Sequence, residues 1–247
     1  FPTRRSSDLD CGIFLCHWKS NATLGKALNA DTDLDILVDI KRKSNLEEVF
    51  KEIGAVKFEA IPQKRYKNID DWLCIDDESG KLIHFHTHYA LDVGEKLIKS
   101  YKLPYAQEIL QSRQKHPDHD FWVISPEWEL LLLILRSALR IPPLYSYKIR
   151  NQLPKIGKDT AIEFEWLKNR ISKNKLNKIL RDHYHTELRE CIQDIINKGI
   201  LPSTIEKLNK SLRSSMQNCR NSNSIYVFGQ LITRRILIRI KSILFKF

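Results

Sequence analysis

Residues 17–40, HWKSNATLGKALNADTDLDILVDI, set two carboxylates, Asp33 and Asp35, at alternate positions entering an apolar run. In an extended strand residues two apart share a face, so both aspartates project to one side while Leu34, Ile36, Val38 and Ile40 project to the other. The apolar set can then pack on helices while the acidic pair faces a cleft. Two carboxylates a few ångströms apart repel each other and make a poor stabilising device. A hard divalent cation relieves that repulsion, and Mg²⁺ commonly takes one or two carboxylates together with substrate phosphate oxygens. Phosphoryl or nucleotidyl transfer is the chemistry such a pair serves: metal neutralises the triphosphate and orients it for in-line attack, and a second metal lowers the pKa of the attacking hydroxyl. A D-x-D by itself also describes the solvated end of a strand, and the upstream residues separate the two readings. Lys19-Ser20 precedes Asp33 with twelve residues and a candidate helix between. Ser20 and the amides of that helix start are placed to receive phosphate oxygens, with Lys19 as an added point charge.

The rest of the composition narrows the class. The chain has 247 residues, 42% of them apolar, enough for one large domain or two smaller ones. The first ten residues, FPTRRSSDLD, read as a translated sequencing-adapter remnant, with the native sequence starting near Cys11 or upstream of it. Five scattered cysteines with no C-x-x-C fit neither a disulfide framework nor a zinc ribbon, and point to reduced thiols in a cytosolic protein. The longest apolar run, LLLLIL at 130–135, falls far short of the roughly 18 residues of a membrane span and suits a buried helix. Of the net charge of +11, nine Lys/Arg with no Asp or Glu lie in 207–247; residues 1–206 keep 32 basic and 30 acidic residues, a net of +2. The body is nearly neutral and only the tail is strongly basic.

From residue 11 to 124 strand and helix periods mix. GIFLCHW is a first strand or helix, NATLGKAL a helix, LDILVDI a strand, and NLEEVFKEIG a short helix with Asn45 as cap and Gly54 as terminator. VKFEAIP and DWLCID read as strands, and DDESG as a hairpin turn into the strand KLIHFHTHY. After residue 125 strand signals fade. SPEWELLLLILRSAL opens with Ser125 as cap, Pro126 in the first helical position and Glu127 and Glu129 in the first turn, the pattern of a helix start. The linker IPPLYSY and helical stretches near 159–171, 173–182, 185–198, 203–218 and 224–245 follow. The expected architecture is α+β: a small mixed β-sheet domain over 11–124, then an all-helical domain over 125–247.

The Lys19-Ser20 and Asp33-x-Asp35 arrangement resembles the nucleotidyltransferase superfamily of the DNA polymerase β type, whose members carry G-S at a helix start and then D-x-D on a strand. Ser20, Asp33 and Asp35 match; Lys19 stands where the family usually has Gly. WKSN with DTDLDILVD, LIHFHTHYALDVGEKLIKSYKLP and SPEWELLLLILRSAL together look like the nucleotidyltransferase-like region that precedes thymidylate-kinase-like domains in some bacterial two-domain proteins, over residues 11–141. The resemblance implies transfer of NMP from an NTP such as ATP, with Mg²⁺ or Mn²⁺, to a hydroxyl or phosphate on a small-molecule acceptor. It also implies a third carboxylate on a neighbouring strand, where LIHFHTHY offers His84, His86 and His88 instead. No G-x-x-x-x-G-K-[ST] occurs, so a kinase domain would lie beyond residue 247. A non-catalytic nucleotide-binding or regulatory module linked to such a kinase is the competing expectation.

His84, His86 and His88 fall on one face of their strand. Aligned imidazoles ligate Zn²⁺ or Mn²⁺, orient carboxylates or serve as a general base; the plain alternative is a polar strand face in water. The expected catalytic residues are Asp33, Asp35 and His86, the expected metal ligands Asp33, Asp35, His86 and His88, and the expected nucleotide contacts Lys19, Ser20 and Arg65. Glu95 and Lys99, four apart, suit a helical ion pair. In the tail, Leu231, Ile232, Ile236, Ile240, Ile243 and Leu244 recur at helical spacing among Arg234, Arg235, Arg239 and Lys241. Such a helix packs on the bundle, links to a further domain, or lies on an anionic membrane surface. The first two readings are favoured over the membrane, and the near-neutral body favours a small acceptor over nucleic acid.

Overall fold

The computed structural model describes residues 13–62, 65–141, 156–220 and 223–244. The chain forms two compact units, one of residues up to Leu91 with Leu103–Ser125, the other of Asp92–Lys102 with the chain from Pro126 onward. The leader 1–10, Cys11 and most of the IPPLYSY linker lie outside the described residues.

The first unit is built on a mixed seven-stranded sheet. Its strands are β1 (Leu15–His17), β2 (Leu34–Val38), β3 (Val56–Phe58), β4 (Ile69–Ile75) and β5 (Leu82–His88), and the two short strands Gln114–Lys115 and Trp122–Val123. In space β3, β4, β5, β2 and β1 lie side by side, followed by Trp122–Val123 and Gln114–Lys115. β2 runs parallel to β5 and antiparallel to β1. β4 and β5 form an antiparallel hairpin whose turn is closed by Gly80 N donating to Asp76 O at 2.7 Å.

One face of the sheet is apolar. Leu34, Ile36 and Val38 of β2, Trp72 and Cys74 of β4, and Ile83 and Phe85 of β5 pack with Leu24 and Ala27 of α1 (Leu24–Leu28) and with Leu46 and Phe50 of α2 (Lys43–Glu52). Phe50 lies 5.1 Å from Trp72 and 4.8 Å from Phe85 between ring centroids, in the range of favourable tilted pairs. Ile40 leaves this face: it sits in a short 3-10 turn, Ile40–Arg42, and is 52% exposed. That turn starts α2 early. Asp39 accepts from Lys41 N at 3.0 Å, so Asn45 falls inside the helix and is not its cap. Gly54, at φ +73°, follows the end of α2 as expected of a terminator. On this side Asp70 of β4 takes Lys43 at 2.7 Å and Lys57 at 3.0 Å, tying α2 and β3 to the central strands.

The second unit is mostly helical. Two short strands, β6 (Leu91–Val93) and β7 (Tyr101–Leu103), pair as a ribbon around a turn that replaces the helix expected at Glu95–Lys99. Gly94 has φ +117°, and Leu97 and Lys99 also adopt positive φ, which breaks helical periodicity. The Glu95 carboxylate accepts from Ser100 Oγ at 2.6 Å rather than pairing along a helix. Helix α3 (Ala106–Gln111) belongs to the first unit; the second continues with α4 (Pro126–Leu139), α5 (Lys158–Lys168), α6 (Lys173–His183), α7 (Thr186–Lys198), α8 (Pro202–Ser215) and α9 (Ser224–Leu244). α4 is buried almost all round, which accounts for its LLLLIL run. Glu127, in the first turn of α4, is itself buried and accepts from Ser172 N at 2.8 Å. In α9 Val227 and Leu231 are buried while Ile232, Ile236 and Ile240 are exposed; the side chains of Lys241, Ile243 and Leu244 lie outside the described residues. Among the described residues no helix is long and apolar enough to cross a membrane.

Candidate metal and nucleotide site

The same alternation that sends Leu34, Ile36 and Val38 into the core leaves Asp35 on the opposite face of β2, with Asp33 just ahead of the strand. On β5, Ile83 and Phe85 point inward, so His84, His86 and His88 share the aspartate face. The parallel register sets Asp35 opposite His86 and Leu37 opposite His88. β4 contributes a residue the sequence reading did not single out. Trp72 and Cys74 face the core, so Asp71 faces outward, in register with His86. Alternation in IDDWLCI carries that signal, since Asp71 belongs to the set opposite Trp72 and Cys74.

Three side chains converge on a single oxygen. Asp35 Oδ1 lies 2.7 Å from Lys19 Nζ, 2.9 Å from His86 Nδ1 and 3.3 Å from His88 Nε2. Asp35, His86 and His88 each offer a ligating atom, all within 4.8 Å of one another, a grouping able to hold a metal ion. Asp33 is engaged elsewhere: its Oδ1 lies 2.8 Å from His84 Nδ1, and His84 Nε2 lies 2.9 Å from Asp71 Oδ1. His86 Nε2 is 3.7 Å from the same Asp71 oxygen.

The electrostatics follow from these contacts. Burial pushes the Asp35 carboxyl up, but Lys19 and the hydrogen bonds from His86 and His88 outweigh it and hold the group well below the usual carboxylate range. Burial pushes His88 well below the usual imidazole value, against the pull of Asp35, so its ring is neutral at pH 7. His88 is fully buried, its ring edge-on to Trp18 at 4.9 Å, and its Nδ1 finds no hydrogen-bond partner among the described residues. His84 behaves oppositely. Its bond to Asp71, opposed by burial and reinforced by Asp33, raises it to about 9, so it is an imidazolium that donates from both nitrogens.

The Lys19-Ser20 turn is held from below. His17 Nδ1 and Asn21 Oδ1, both buried, lie 2.6 Å apart, and Trp18 N donates to Asp35 O at 3.2 Å. Ser20 has φ +60°, in the left-handed region. Its carbonyl accepts from Thr23 N at 3.0 Å, and the helix it opens is a 3-10 turn, Asn21–Thr23, running into the five residues of α1. Arg65 lies outside this arrangement and pairs with Glu59, both exposed.

No family model and no curated protein matches the chain. Among solved structures, the solution structure of the antibiotic-resistance factor ANT(2'')-Ia is similar at 13% sequence identity and a TM-score of 0.39, over 72% of this chain and 85% of that one.

Proposed function

We propose that the protein is a metal-dependent nucleotidyltransferase-like enzyme that transfers NMP from an NTP, ATP among them, to a hydroxyl or phosphate of a small-molecule acceptor. The convergence of Lys19, His86 and His88 on Asp35 Oδ1 carries this reading. It joins the Lys19-Ser20 turn to the D-x-D strand in one polar face, as the sequence resemblance requires. Asp35, His86 and His88, with Asp33 beside them, would hold Mg²⁺ or Mn²⁺; such an ion offsets charge on the triphosphate and on the departing pyrophosphate. Lys19 and the Ser20 turn would take phosphate oxygens, with Arg65 as an outer contact. The acceptor oxygen bonds to the α-phosphorus, the bond to pyrophosphate breaks, and the acceptor proton is released. His86 would assist by fixing the Asp35 carboxylate, 2.9 Å from its Nδ1. Reduced thiols at Cys16, Cys74, Cys191 and Cys219 would suit a cytoplasmic setting.

A second reading, a nucleotide-binding regulatory module of a thymidylate-kinase-like two-domain protein with its kinase part beyond residue 247, is favoured by one observation. The residue opposite Asp35 is His86 where a transferase would carry a carboxylate. Incubation with each labelled NTP, Mg²⁺ or Mn²⁺ and a cell extract, comparing wild type with Asp33→Asn/Asp35→Asn, separates the two. Aspartate-dependent transfer of label to an acceptor is the expected result. Binding that depends on the aspartates without transfer favours the regulatory module, and equal metal-nucleotide binding by both proteins overturns both readings.

A further inference from the structure

We infer that the Asp35–His86–His88 group selects a nitrogen-accepting first-row transition ion, Mn²⁺, Co²⁺ or Zn²⁺, over Mg²⁺; this deepens the function proposed above and rests on it for the ion's use in transfer. The donor set is the reason. Of its three ligands one is a carboxylate oxygen and two are imidazole nitrogens. Mg²⁺ demands oxygen ligands and gives up its waters reluctantly, whereas imidazole suits Zn²⁺, Co²⁺ and their neighbours. The nearest further carboxylates are already committed: Asp33 and Asp71 grip the two nitrogens of His84 at 2.8 and 2.9 Å. Of the D-x-D pair, only Asp35 faces the two imidazoles; Asp33 is held by His84. His86 and His88 lie 2.9 and 3.3 Å from Asp35 Oδ1, close enough for the three to share one ion, so the choice among ions rests on the donor atoms.

The test uses the whole chain, stripped of metal, without nucleotide and at fixed pH. Co²⁺ is titrated in and its visible d–d bands, which report imidazole coordination, are followed as Mg²⁺, Mn²⁺ or Zn²⁺ is added. The expected result is stoichiometric Co²⁺ bands that Zn²⁺ removes and that roughly hundredfold excess Mg²⁺ leaves in place. His86→Ala should weaken Co²⁺ binding about tenfold or more, since even outer partners of such ligands are worth that much. His86→Asp, which sets a carboxylate opposite Asp35, should shift the preference toward Mg²⁺. His86 is partly exposed, so unchanged thermal melting certifies that both variants fold. Displacement of Co²⁺ by equimolar Mg²⁺, bands without imidazole character, or binding indifferent to His86→Ala overturns the inference. Its failure is distinguishable from that of the proposed function: transfer supported by Mg²⁺ alone would sink the ion preference and spare the transferase, whereas tight Co²⁺ or Zn²⁺ binding without nucleotide transfer would do the reverse.

Discussion

Lys19 is the natural competitor of any cation at Asp35, so Lys19→Met should tighten metal binding while weakening nucleotide binding. The ammonium lies 2.7 Å from Asp35 Oδ1, and at an effective dielectric of about 20 their attraction is about 6 kcal/mol before desolvation. Side-chain exposures of 24% and 13% mean that much of this is offset by lost hydration. A net of about 1–2 kcal/mol is a reasonable remainder for a half-buried pair. An arriving ion must displace that contact, so its removal should raise apparent Mn²⁺ affinity by about tenfold. The methionine retains the stem that covers Trp18, whose ring lies 5.4 Å from Nζ, so packing changes little. Isothermal titration of metal-free wild type and variant with Mn²⁺ measures the effect, and titration with an NTP measures the converse loss. The metal-free variant should also melt earlier, because Asp35 is left with fewer positive neighbours. A Kd for Mn²⁺ that is unchanged or weaker in Lys19→Met would refute the competition argument.

Other consequences can be tested directly. His84 should titrate near pH 9 by imidazole NMR and return toward 6.5 in Asp71→Asn. Because its folded pKa is raised, its contribution to stability is complete below 6.5 and is lost as pH climbs to about 9. Asp70 has the opposite sign: burial pushes it up, but Lys43 and Lys57 hold it below 3.8, so its contribution is present above 3.8 and disappears as pH falls through its lower folded value. Asp70→Asn should therefore flatten the acid limb of a stability–pH curve measured by urea unfolding. Phe50→Ala, removing a fully buried ring from between Trp72 and Phe85, should cost about 3–5 kcal/mol in the same assay. Gly94→Ala should cost about 1–3 kcal/mol, since φ is +117° and a Cβ would sit 3.1 Å from Ser100 N; an unchanged melting temperature would contradict the strain argument.

Periodicity made much of this fold readable. The alternation of LDILV and LIHFHTH identified both central strands and sorted their faces, because a half-buried strand must place every second residue in the core. The apolar run of SPEWELLLLILRSAL, with Pro126 and two glutamates at its start, marked the helix that is buried almost all round. What escaped was set by tertiary register. Asp71 joins the site only because the β4–β5 hairpin aligns it with His86, and a single sequence does not state which strands pair. The partition of roles also escaped: spacing equated Asp33 with Asp35, yet His84 takes the first while Lys19, His86 and His88 take the second. At Glu95–Lys99 the ion-pair spacing was read as helical, and positive φ at Gly94, Leu97 and Lys99 made it a turn.

The clamp that His84 forms between Asp33 and Asp71 lowers the negative charge of the polar face. Three carboxylates, Asp33, Asp35 and Asp71, face two cations, Lys19 and protonated His84, leaving a formal charge of −1. One divalent ion converts that to +1. On the function proposed above, the face would draw a cation first and repel a triphosphate until it held one, so the order of arrival would follow from its electrostatics.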